Sequence, residues 1–169
     1  YETFINKLTE YHQNNPKIQY HVACKANGDG SMNPYKTPGA QMINDHEFIY
    51  HNAHCFRVKI PEKIGPAQAI YYDVAALHES CKIIKRDKIA HPIVYIMACR
   101  IGPFMKRYYH EIHKLGGKVY LNPDGHEFLR AKWPAPIRKY WKISEQMMVK
   151  WSDLVICDSK TIEQYIHDC

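Results

Sequence analysis

The chain has 169 residues, enough for one domain with its own hydrophobic core. Hydrophobic residues make up 46% and charged residues 24%, a soluble globular balance, and no apolar run is long enough to span a bilayer. The net charge of +6 is modest, and it gathers between Phe128 and Trp151, where Arg130, Lys132, Arg138, Lys139, Lys142 and Lys150 are opposed by Glu145 alone. Such a patch favours an anionic partner: phosphate, nucleic acid or anionic lipid. The plain alternative is a solvated helix face.

The six cysteines form no Cys-x-x-Cys pair and mostly lie inside apolar runs, so they read as small core residues in a reducing compartment. Thirteen tyrosines suit strands, and they also suit sugar-like ligands that want a flat face with a hydroxyl. No signal peptide is visible. The chain starts at Tyr1 without a methionine, so an upstream portion is expected.

In chain order, Phe4, Ile5, Leu8 and Tyr11 at helical spacing predict a helix over 3–14. Residues 18–24 read as a strand and 25–45 as a loop. Gly28-Asp29-Gly30 is too short for a dinucleotide fingerprint, because no phosphate-cradling helix follows. Residues 47–52 form the next predicted strand. Phe56, Val58 and Ile60 alternate with Arg57 and Lys59, the period of a half-buried strand.

Gly65-Pro66 opens the clearest helix, with Ile70, Val74, Leu77, Cys81 and Ile84 as its buried stripe. Residues 92–99 are almost wholly apolar, as in a central parallel strand. Gly102-Pro103 starts a helix with the face Phe104, Met105, Tyr108, Ile112 and Leu115, and Gly116-Gly117 stops it. A strand over 118–121 enters a charged loop, and Pro134 and Pro136 start a helix to about Ser152. Its inner stripe begins at Ile137 and continues through Trp141, Met147, Met148 and Trp151. A last strand at 153–157 and a last helix at 160–167 follow. Helix and strand alternate from residue 64 onward, which predicts an α/β fold with a mostly parallel, Rossmann-like sheet and helices on both faces. No repeat or linker divides residues 1–169.

The densest chemistry lies from Asn122 to Trp133, at the end of a predicted strand, where open α/β folds place their sites. There Asp124, His126 and Glu127 could orient or deprotonate a hydroxyl, with Gly125 shaping the turn. The bland alternative is a turn capped by Asp124. Arg130, Lys132 and Arg138 could hold a diphosphate. The amides that open the helix at Gly102 could meet an anion or hydroxyls, or merely start a helix. His110 with His113, and His51 with His54, lack the His-Glu-x-x-His spacing of a zinc protease and read as surface or partly buried histidines.

Several segments together carry a resemblance. They are Tyr1-Glu2-Thr3-Phe4, the run from Ile64 to Leu77, Asn122 to Glu127 with Arg130 and Lys132-Trp133, and Asp153 to Ser159. Over nearly its whole length the chain resembles the N-terminal half of bacterial rhamnosyltransferases of retaining glycosyltransferase family 4. The pattern departs at Phe128, Leu129 and His126. The resemblance implies a GT-B enzyme with two Rossmann-like domains. This chain would be the acceptor-binding domain, lacking a first strand and glycine-rich loop upstream and a donor-binding domain after Cys169, and would be inactive alone.

The implied reaction moves L-rhamnose from dTDP-L-rhamnose to a lipid-diphosphate-linked sugar in cell-surface polysaccharide synthesis. It would proceed with retention, without a metal or other cofactor, at the inner face of the cytoplasmic membrane. The implied catalytic residues are Asp124 and Glu127. The implied acceptor contacts are Glu2, Gly102, Asp124, Gly125, His126, Glu127, Arg130, Lys132 and Arg138. Two other classes remain open. A non-catalytic lipid- or sugar-binding module would need only the basic patch and the tyrosines. A nucleic-acid binder would use the same patch, but no recognition motif accompanies it.

Overall fold

The computed structural model describes residues 2–28, 30–123, 125, 127–129 and 133–167. The chain falls into two compact units, Tyr1–Ala76 and Leu77–Cys169.

In the first unit, helix α1 (Glu2–His12) precedes four strands: β1 (His21–Lys25), β2 (Gln41–Met42), β3 (Glu47–Tyr50) and β4 (Ala53–Val58). Their order is β1-β4-β3-β2, with β1 parallel to β4 and the other pairs antiparallel. The expected apolar face of α1 is only partly right. Phe4 and Tyr11 are exposed, and the buried residue is Thr9. The Thr9 hydroxyl satisfies itself on the carbonyls of Ile5 and Asn6, both at 3.0 Å, so it can face inward.

Strands β3 and β4 form a hairpin whose two turn residues, His51 and Asn52, have φ of 48° and 57°. Positive φ at both positions is what a two-residue turn needs to match the twist of its strands. The expected half-buried alternation over Phe56, Val58 and Ile60 is replaced by fuller burial. In β4, Ala53, His54, Cys55 and Phe56 are buried in succession, so both faces of the strand are covered. Phe48, Ala53 and Cys55 centre this core, with Tyr20, Val22 and Cys24 packed on it.

Helix α2 (Gln68–Arg86) follows a 3-10 turn at Gly65–Ala67. Its buried residues are Leu77, Cys81, Ile83 and Ile84. The Ile70 and Val74 end of the expected stripe is only half-buried.

The second unit alternates strand and helix: β5 (Ile93–Met97), α3 (Gly102–Lys114), β6 (Lys118–Asn122), α4 (Ala135–Lys150), β7 (Leu154–Val155) and α5 (Lys160–His167). All its strand pairs are parallel, in the order β5-β6-β7. This is the expected α/β, Rossmann-like arrangement. It corrects one detail: β6, not β5, is the middle strand, and Ile93 at the start of β5 is exposed. Val119 and Leu121 of β6 point into the core with Ile112, Met105 and Met148. Gly116, at φ 78°, ends α3: its amide bonds the carbonyl of His113 at 3.0 Å, and that of Gly117 bonds Ile112 at 3.0 Å. This crossed pair is the glycine C-cap that the sequence announces.

Cys24, Cys55, Cys81, Cys99 and Cys157 are free thiols. Burial, with help from the Glu111 carboxylate, pushes the Cys81 thiol up to about 12, so it stays protonated and inert.

Candidate ligand-binding site

The carboxyl ends of β5 and β6 converge on a recess. Ala98, Cys99 and Arg100 line it from the segment after β5. Pro123, Gly125 and Phe128 line it from the segment after β6, and Trp141 and Glu145 from α4. The recess is shallow: its enclosed part, about 10 Å³, has room for one water.

The segment behind the recess is held in place by α4. The Tyr140 hydroxyl donates to the Arg100 carbonyl at 2.7 Å, and the Ser144 hydroxyl donates to the Cys99 carbonyl at 2.7 Å. In return Ser144 Oγ accepts the Gly102 amide at 2.8 Å, and Met148 Sδ accepts the Ile101 amide at 3.4 Å. Burial raises the Tyr140 phenol above its ordinary value and the Ser144 hydroxyl lowers it, so near neutral pH Tyr140 remains a donor. Helix α4 thereby caps α3 from outside its own chain segment, which explains why α3 has no side-chain N-cap of its own.

Ala98, at the end of β5, has φ of 100°. A side chain rarely tolerates that backbone, which costs about 1–3 kcal/mol. The strain is sustained by the bond from the Ala98 amide to the Asn122 carbonyl at 2.9 Å. Asn122 is itself buried, and its side chain donates to Asp158 Oδ1 at 2.8 Å, tying the ends of β6 and β7 together.

Two wall residues, Trp141 and Glu145, lie one turn apart on α4, on one face of the helix. Glu145 is 4% exposed, and the Tyr165 hydroxyl donates to its Oε1 at 2.6 Å. The Trp141 Nε1–H is buried and has no hydrogen-bond partner. Leaving a buried donor unmade costs about 1–3 kcal/mol. Rings crowd the same place: Trp133 and Tyr140 lie 6.2 and 5.5 Å from Trp141, and Lys142 Nζ is 5.9 Å from the Phe128 ring.

A protein-family model described as a domain of unknown function, DUF1972, matches residues 1–169. The chain belongs to the DUF1972 family. No curated protein and no solved structure gives a match.

The site residues read from the sequence of this DUF1972 domain fall into three groups. Asp124, His126, Arg130 and Lys132 lie outside the described residues, as does the side chain of Glu127, whose backbone opens a 3-10 turn at Glu127–Leu129. Gly125 lines the recess. Gly102 stands beside it but is buried. Its amide, expected to meet a ligand, is instead taken by Ser144, and an added Cβ would lie 2.5 Å from the Ser144 backbone. Arg138 is exposed on α4 and is not part of the recess wall. Glu2 belongs to the first unit, where its carboxylate lies against Gly30.

Sequence reasoning missed Arg100, Trp141, Glu145 and Asp158 as residues of this end of the sheet. Glu145 is the one negative charge in a basic stretch whose plain alternative is a solvated helix face. Yet it stands four residues from Trp141 and three from Met148 on the inner stripe, which was a usable signal.

The histidine pairs have ordinary occupations. His113 Nε2 lies 2.9 Å from Asp153, and His54 lies 3.0 Å from both His21 and Glu47. His51 sits in the hairpin turn, and His110 is exposed. Among the described residues no cluster of three or more His, Cys, Asp or Glu could hold a metal ion, and no helix is long and apolar enough to cross a membrane.

Proposed function

We propose that this chain supplies the acceptor side of a retaining GT-B glycosyltransferase. It would move L-rhamnose from dTDP-L-rhamnose to a lipid-diphosphate-linked sugar. The observation that carries the reading is the recess at the carboxyl ends of β5 and β6, where two aromatic rings, a buried carboxylate and an arginine meet. Sugars present apolar C–H faces that pack on rings and hydroxyls that carboxylates accept. The donor is assigned to a second domain. Asp124 and Glu127 orient the acceptor hydroxyl, and the leaving nucleotide helps to take its proton as the new bond forms on the same face.

The exposed cations of α4, Arg138, Lys139, Lys142 and Lys150, suit an anionic membrane surface. With Arg130 and Lys132 they suit the acceptor diphosphate. On this reading the protein works peripherally, at the inner face of the cytoplasmic membrane.

The test is sugar transfer by the intact protein, with labelled dTDP-L-rhamnose and lipid-linked acceptors extracted from membranes. Transfer is expected, and Asp124→Asn should lower kcat far more than donor affinity. Binding of sugars without transfer from any nucleotide sugar would replace the enzyme with a sugar-binding module, a role that a shallow recess also serves.

A further inference from the structure

The two parallel strands of the first unit each carry a thiol. In the register of β1 and β4, Cys24 stands beside Arg57 and Val22 beside Cys55. Side chains alternate along a strand, so Cys24, Cys55 and Arg57 share one face. Cys24 packs against the cluster of Phe48, Ala53 and Cys55, yet it is half-buried, whereas Cys55 is buried. The Arg57 guanidinium donates to the carbonyls of Asp45 at 3.1 Å and Ala26 at 3.3 Å, and its Nε–H is buried without a partner. Those carbonyls are neutral acceptors, which leaves the cation to act on the thiol beside it. Cys24 and Arg57 each precede the last residue of their strand, at the end where open α/β folds gather their chemistry.

As neutral thiols, Cys24 and Cys55 reach carbonyls of their own strands, Val22 and Ala53, at a long 3.8 Å. A thiolate at Cys24 takes the Cys55 S–H instead. That bond and the Arg57 cation outweigh burial and hold Cys24 below the usual thiol range. The same contact, with burial, pushes Cys55 up, so Cys55 keeps its proton and remains the donor. Cys157, also half-buried, has no such help and is pushed up by burial and by Glu163 and Asp158.

We propose that Cys24 is a modification site, oxidised by a hydroperoxide to a sulfenic acid that does not close into a disulfide. The Cys24 sulfur attacks the terminal peroxide oxygen. An S–O bond forms as the O–O bond breaks, sulfur gives up two electrons, and the leaving oxygen takes a proton from water as an alcohol, or as water itself. Cys55 lies one strand across and two residues along, which separates the Cα atoms by roughly 8 Å. That is beyond the usual span of a disulfide. The site belongs to the first unit and does not rest on the glycosyltransferase reading.

The experiment exposes the reduced full chain to an equimolar amount of hydrogen peroxide with dimedone, which traps sulfenic acids, and locates the label by peptide mass spectrometry. Cys24 should carry about ten times the label of Cys157, because the thiolate is the reacting form. Arg57→Met and Cys55→Ala should each lower the Cys24 label several-fold and leave that on Cys157 unchanged. Equal label on Cys24 and Cys157 in the wild type would overturn the proposal, and this comparison stands whether or not the variants fold. A linked Cys24–Cys55 peptide in place of the label would overturn it too, as would folded variants labelled at Cys24 like the wild type.

Discussion

The two ends of the parallel sheet in the second unit are finished differently. At the amino ends of the strands a single carboxylate closes three polar contacts. Asp153 Oδ2 accepts the Val119 amide at 2.7 Å and His113 at 2.9 Å, and its Oδ1 accepts the Tyr109 hydroxyl at 3.3 Å. That one carboxylate ties α3, β6 and the start of β7 together. At the carboxyl ends the backbone is strained at Ala98, a carboxylate is buried at Glu145, and the Trp141 donor is left unmatched. Fold stability alone favours the first pattern. Strain and an unmatched buried donor are what functional sites tend to carry.

The contrast can be broken at three points. The largest effect is expected at Gly102, where α3 and α4 touch through their backbones. Gly102→Ala puts a Cβ 2.5 Å from Ser144 Cα, and backbone cannot yield as a side chain can. A loss of about 3 kcal/mol or more is expected in urea unfolding, by overpacking.

Ser144→Ala comes next. It orphans the buried Gly102 amide and removes the bond to the Cys99 carbonyl, at a cost of about 1–3 kcal/mol. Because this clamp shapes the recess, sugar affinity should fall with stability. A variant as stable as wild type would show the clamp to be idle.

Asp153 has the smallest effect and a pH signature. Its partial burial raises its pKa, but the bonds from Val119, His113 and Tyr109 outweigh that and hold it below the usual carboxylate range. A carboxylate depressed in the folded state stabilises above its unfolded pKa, and that contribution fades as pH falls through the folded one. Wild type should therefore lose stability on acidification below about pH 4. Asp153→Asn should be weaker by about 1 kcal/mol near neutral pH and show less of this acid slope. Parallel slopes for the two proteins would assign the acid sensitivity elsewhere.

Much of this unit was legible because its signals are local. Gly102-Pro103 and Gly116-Gly117 bracket α3, and the period of Met105, Tyr108 and Ile112 gives its inner face. The helix over 160–167 and the alternation from residue 64 came from the same kind of reading. What failed depended on distant partners. Thr9 buries in place of Phe4 because its hydroxyl bonds its own helix, and the β4 core takes Tyr20, Val22 and Cys24 from a distant stretch of the chain.

The site divides in the same way. The 122–133 loop stood out by charge density, and Gly125 and Phe128 do line the recess. Trp141 reads as part of an inner stripe and Glu145 as the lone acid of a basic stretch, because only the approach of α4 to the strand ends makes them neighbours of that loop. Asn122 and Asp158 each sat in a quoted segment, yet their bond joins two strand ends that the sequence separates by 36 residues.

The most direct measurement is amide and indole mapping of the chain by NMR as a methyl pyranoside is added. Shifts are expected at residues 98–102, at Gly125 and Phe128, and at the Trp141 indole, with Val119, His113 and Asp153 unmoved. Shifts centred on the Asp153 end, or spread evenly over both ends, would contradict it.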